Sequence, residues 1–334
     1  MRGVTAQVYE NGRRLAIGPG ATSVHWIGGE ALFSLSDGSV FAAAREGETR
    51  RITAHDGVIL SATLHPDGKR LVTGGDDGAI KAISPDGEVI TLGDVRKWVD
   101  HLVSNPASGV IVAGVGRDAI VFKGDKEAHR FTHPSTIGGI ALDAKGRRLA
   151  VSHYGGVTMR LVLAADDKGN ALKWAGSHLA ITQSPEGEYV ITGMQENALH
   201  GWRLPEKTDL RMDGYPAKTK SFSWDKRGRW LATSGANAAI VWPFVGKLGP
   251  QGKPPLQPGE RGEALVTAVA FHPNEEVLAI GYSDGAAILV RFADSLGMEL
   301  DEAGEGAVSA LAWSPDGKHI ALADEAGRGA IITV

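Results

Sequence analysis

The chain has 334 residues, a formal net charge of −4, no cysteine and 45 glycines. Its basic residues are scattered instead of gathered into a stripe, which argues against nucleic acid as a ligand. The lack of cysteine excludes disulfides, thiolate zinc sites, iron–sulfur clusters and cysteine nucleophiles. No apolar run approaches the ~18 residues of a membrane span, and the start, MRGVTAQVYENGRR, lacks the apolar core of a leader, so a cytoplasmic protein is expected.

In chain order, residues 4–9 and 14–17 read as strands that precede the first full repeat. From VHWIGGEALFSLSDGSVFAAA onward one pattern recurs: an apolar strand, a Pro-Asp-Gly-type turn, a second strand, an Asp-Gly-type turn and a third strand. The second copy is the clearest. Residues 59–64 form a strand, Pro66, Asp67 and Gly68 turn the chain, 70–73 return, 75–78 turn again, 79–83 form the third strand and 88–92 a polar-flanked outer strand. Proline presets φ for such a turn and glycine supplies the positive φ. The second-turn markers Gly38, Gly78, Asp118, Gly156, Asn197, Asn237, Gly285 and Gly327 follow one another at intervals of 38 to 48 residues. A period near forty with three or four short strands per copy is the signature of a β-propeller blade.

The expected architecture is therefore all-β: one closed propeller domain over 1–334 with four-stranded blades, eight by preference and seven as the alternative. Runs such as LVTG, LAVS and YVITG read as inner, sandwiched strands, and ETRRIT and KEAHRFT as the wet outer edge. The last copy, 308–334, stops one strand short, so the N-terminal strand is expected to complete it. The proline-rich stretch 245–264 reads as a surface loop, because Pro254, Pro255 and Pro258 resist strand pairing.

HPDGKRLVTGGDDG, FHPNEEVLAIGYSDG and WSPDGKHIALADEAG resemble repeats of the WD (tryptophan–aspartate) family. The resemblance implies a buried structural network in each blade: a His ahead of the first strand, a Ser or Thr in the second, an Asp in the second turn and a Trp in the third strand. His55, Thr73 and Asp77 match in the second repeat, where Ile83 replaces Trp. Trp202 and Trp242 match the Trp position in the fifth and sixth, where Glu196 and Ala236 replace Asp.

No motif of catalysis stands out: there is no Gly-x-Ser-x-Gly, no phosphate-binding loop before a helix and no His-Glu-x-x-His. Histidine clusters by repeat position. His55, His101, His133 and His178 lead into first strands and His153 lies at a second turn, so one face is expected to be His-rich. A metal site could be drawn from it, but structural roles are the stronger reading, and no metal or cofactor is assigned. Trp98 and Trp174 share those loops with His101 and His178, and Arg117 and Tyr154 come from second turns of the same face. Together these six are the candidate partner surface, since Trp, Tyr and Arg dominate binding hot spots. The expected function is a non-catalytic platform, a scaffold or adaptor holding a cytoplasmic protein or peptide, in a monomer that binds neither nucleic acid nor membrane. The alternative is a propeller that takes a small ligand or metal at its channel mouth, with or without catalysis.

Overall fold

A computed structural model describes residues 12–246, 248–292 and 296–334. Among the described residues every element is a strand or a turn, and no helix is long and apolar enough to cross a membrane. The chain divides into two compact units, one of residues up to 33, 43–49 and from 215 onward, the other of 34–42 and 50–214.

Among the described residues the strands form seven separate antiparallel sheets, of which five have four strands. Seven is the smaller of the two expected counts, and the preference for eight is left without support. In the fourth repeat the second and third strands double back at 154–156, with the Val162 amide donating to the Arg147 carbonyl at 2.9 Å, and the fourth strand runs on into the first strand of the fifth repeat. Arg148–Leu161 and Asn170–Gln183 each run for 14 residues and tie both repeats into one six-stranded sheet. Within it, 149–153 pair with Ile137–Leu142, 154–159 pair with 170–177, and 178–183 pair with Tyr189–Met194. Register shifts at Tyr154/Gly156 and His178/Ala180 mark the places where the chain bends.

The turns follow the sequence chemistry. In the second repeat Gly68 has φ +70° and donates to the His65 carbonyl at 2.9 Å, while Asp67 Oδ1 accepts from the Lys69 amide at 2.8 Å. Gly327 is the tightest position, because a Cβ there would lie 1.4 Å from the Gly18 carbonyl oxygen and its φ is +89°. At that point the N-terminal segment passes the last repeat, and the Ile17 amide donates to the Gly327 carbonyl at 3.0 Å. Gly12–Ala16 then pairs antiparallel with Arg328–Thr333, giving the last sheet its outer strand. The other half of that expectation, residues 4–9, lies outside the described residues.

Burial does not fall off steadily from the first strand outward. The fully buried strands are the second ones, Leu71–Gly75, Val110–Val115 and Tyr189–Met194, whereas the first strands Ile59–Leu64 and His101–Asn105 are mostly half-buried. The outer strands Thr49–Thr53 and Lys126–Thr132 are largely exposed, as their polar alternation requires. Neighbouring sheets bury their faces together: Val72, Ile80 and Val99 meet Ile111, Ile120 and Phe122 in one cluster, and Leu289 and Leu300 belong with Val308, Ile320 and Leu322 in another. Each such side chain stabilises the fold by about 1.5–3 kcal/mol. First strands of adjacent sheets share no backbone ladder and are joined by side chains. Ser61 Oγ donates to the Val99 carbonyl at 2.8 Å, Thr267 Oγ1 to Val308 at 2.6 Å and Trp313 Nε1 to Ala270 at 3.0 Å.

The sheet Phe222–Trp224, Trp230–Thr233, Ile240–Pro243 departs from the expected four strands by having three. Its open edge is met by the proline-rich loop. Leu256 and Val241 exchange both backbone hydrogen bonds at 2.9 Å, and the Ala239 amide donates to Pro258 at 3.1 Å. The prolines limit the pairing to these isolated contacts without preventing it: Leu256 keeps its N–H between them, and proline carbonyls still accept.

Candidate functional site

The residues that precede or cap the strands fall into a buried network and an exposed rim. His55 is buried. Its Nδ1 donates to Asp77 Oδ1 at 2.9 Å and its Nε2 accepts from the Thr73 hydroxyl at 2.8 Å, the arrangement expected for the second repeat. Burial lowers the His55 pKa, and the Asp77 carboxylate opposes that shift. The fifth repeat builds the same contact with His178, whose Nδ1 accepts from Thr192 at 2.7 Å while Nε2 donates to the Trp174 carbonyl at 3.1 Å. Trp202 closes this repeat, 2% exposed, with its ring 4.5 Å from His200 and 5.6 Å from His178.

In the sixth repeat tyrosine stands in for histidine. Trp242 Nε1 donates to the Tyr215 hydroxyl at 2.7 Å, Tyr215 donates to Thr233 at 2.7 Å, and Thr233 donates to the Ile240 carbonyl at 2.9 Å. Burial pushes the Tyr215 phenol up to about 12. Sequence reasoning missed Tyr215. The signal was there in a Thr at the second-strand position and a Trp at the third, with an aromatic hydrogen-bonding residue ahead of both.

The six candidate surface residues divide. His178 belongs to the core and cannot touch a partner. Trp174 is half-buried, stacked on His200 with centroids 4.1 Å apart and planes 19° apart, and packs against the Trp202 cluster. His101 is half-buried, with its pKa lowered by burial and its ring bonded to the backbone of Ile137. The rest of the expected His-rich face is also inside: His133 and His153 are buried, with ring centroids 6.0 Å apart. Burial brings His133 down to about 4, and neither of its ring nitrogens has a hydrogen-bond partner. Among the described residues no group of three or more His, Cys, Asp or Glu side chains is placed to hold a metal ion.

Trp98, Arg117 and Tyr154 are exposed, Trp98 at 64% and Tyr154 at 69%. Their loops are held by neighbouring backbone. Val99, next to Trp98, donates to the Gly75 carbonyl at 3.1 Å. Arg117 accepts from the His133 amide at 2.8 Å, Gly116 accepts from Ile137 at 2.7 Å, and the Tyr154 amide donates to Ser135 Oγ at 3.1 Å. Two large aromatic rings and a guanidinium thus stand in solvent on backbone that is already ordered, the condition under which binding loses least conformational entropy.

A family model described as WD domain, G-beta repeat matches residues 47–84, the repeat that holds His55, Thr73 and Asp77. Together with the repeated four-stranded sheets this match supports a WD-repeat β-propeller. The crystal structure of the computationally designed Ika8 protein is similar in fold, with 14% identity over 95% of this chain and 96% of that one and a TM-score of 0.76. No curated protein matches the chain. WD-repeat propellers commonly mediate protein–protein interaction, which fits the division between a buried network and an exposed aromatic rim.

Proposed function

We propose that this protein is a non-catalytic interaction platform that holds a protein or peptide partner through Trp98, Arg117 and Tyr154. The supporting observation is the exposure of both aromatic rings on backbone fixed by hydrogen bonds. Each ring offers a large apolar area with few torsions to freeze, and the exposed Arg117 supplies a charge-assisted donor. The reading includes a cytoplasmic, monomeric protein that binds neither nucleic acid nor membrane.

The test is a photo-crosslinking amino acid placed at position 98, with the crosslinked partner identified and then bound in purified form. Replacing Trp98 and Tyr154 with alanine weakens binding of that purified partner by about 2 kcal/mol or more per true hot spot and leaves the fold intact. Unchanged binding overturns the assignment.

A further inference from the structure

We infer that a cavity at the opposite end of the six-stranded sheet binds a small aliphatic carboxylate. The cavity has a volume of ≈ 300 Å³. Both ends of the strand Arg148–Leu161 reach it, while Tyr154 lies at the bend between them, so this place is separate from the aromatic rim.

Three cations line it, Arg148, Arg160 and Lys207, against one carboxylate, Asp167. Arg160 is held in position with its donors underused. Its Cζ lies 4.9 Å from the centroid of the Phe131 ring, and Nη1 donates to the Asp167 carbonyl. The Asp167 carboxylate is 3.9 Å from Nη1, and Nε is buried without a hydrogen-bond partner. Lys207 has a single weak bond, 3.4 Å to Asn170 Oδ1, and Arg148 has no ion pair among the described residues. A guanidinium presents a planar fork to an oxyanion, so the unpaired donors favour a carboxylate head.

The rest of the lining fixes the body of the ligand. Leu161, Leu172 and Leu204 face the same cavity, and Leu161 is 53% exposed in spite of its apolar side chain. Inorganic anions would leave these leucines wet, whereas a short alkyl chain covers them at about 0.8 kcal/mol per buried methylene. At about 30 Å³ per water-sized group, the space suits a body of a few carbons with its head.

Hexanoate titrated calorimetrically into the full chain is the probe. The expected result is saturable binding, weakened at least about tenfold by Arg148→Gln combined with Lys207→Gln, the loss of roughly one charge-assisted contact. Both residues are exposed, so the fold survives, and Lys145→Gln, outside the lining, serves as the control with unchanged affinity. Hexanol, which lacks the charge, and inorganic phosphate, which lacks the chain, are both expected to bind more weakly than hexanoate. No saturable binding, equal binding of hexanol, tighter binding of phosphate or indifference to the double substitution would each overturn the inference.

Discussion

The second and sixth repeats do the same structural job with different chemistry. In the second, His55 bridges Thr73 and the Asp77 carboxylate, and a fourth strand, Val89–Asp94, completes the sheet. In the sixth, Tyr215 bridges Thr233 and Trp242, no carboxylate takes part, and a proline-rich loop supplies two backbone contacts in place of an outer strand. What the two share is the threonine hydroxyl in the second strand and a ring that covers it. The repeat therefore requires a buried polar group to be satisfied, and it tolerates several ways of satisfying it.

The largest expected effect probes the ring that does the covering. Trp202→Ala removes a fully enclosed indole and is expected to cost roughly 3–5 kcal/mol in urea unfolding, whereas Trp98→Ala at the rim stays within about 0.5 kcal/mol. Similar costs for the two would erase the distinction between network and rim. Next come the hydroxyls. Thr73→Val and Thr233→Val each strand a buried partner and are expected to lose about 1–3 kcal/mol, as is Tyr215→Phe. If the sixth-repeat changes were neutral while Thr73→Val was not, the equivalence between the two repeats would fail.

Acid distinguishes repeats closed by histidine from the one closed by tyrosine. Burial brings His133 and His200 down to about 4. The unfolded chain takes up these protons near pH 6.5, which the folded chain resists. Stability is therefore full above about pH 6.5 and is lost as the pH falls toward 4, by up to about 1.4 kcal/mol per pH unit for each such imidazole. His133→Leu should flatten the fall in melting temperature between pH 7 and 5 without lowering it at pH 7, because the ring nitrogens of His133 have no partner to lose. An unaltered slope would show that other groups drive it. The smallest effect concerns the loop: Leu256→Pro deletes the donor to the Val241 carbonyl and should cost about 1 kcal/mol, measurable by the same unfolding titration.

Much of the architecture was legible in the sequence because turn chemistry repeats where packing must repeat. Gly68, Gly78 and Gly327 hold the positive φ that their turns demand, and Asn197, which replaces glycine in the fifth repeat, holds φ +54°. The blade count was not legible. The residues around Tyr154 and Trp174 do break the pairing, as their turn and loop chemistry suggests, but the strand that holds Trp174 runs on into the next repeat, which no local propensity reveals. The outer pairing of Leu256 was hidden for a similar reason, since a proline-rich stretch signals its missing donors but not the donors it keeps. Of the six candidate site residues, Trp98, Arg117 and Tyr154 stand exposed. Periodicity identifies the end of the strand that a residue occupies, and it cannot say whether a ring such as Trp174 points out or folds down onto His200.

The central claim is that scaffold and recognition are carried by different residues of the same loops. The most direct measurement takes melting temperature and affinity for the crosslinked partner on one protein carrying Trp98→Ala and Tyr154→Ala. The account predicts an unchanged melting temperature and lost affinity; a lowered melting temperature with affinity retained would contradict it.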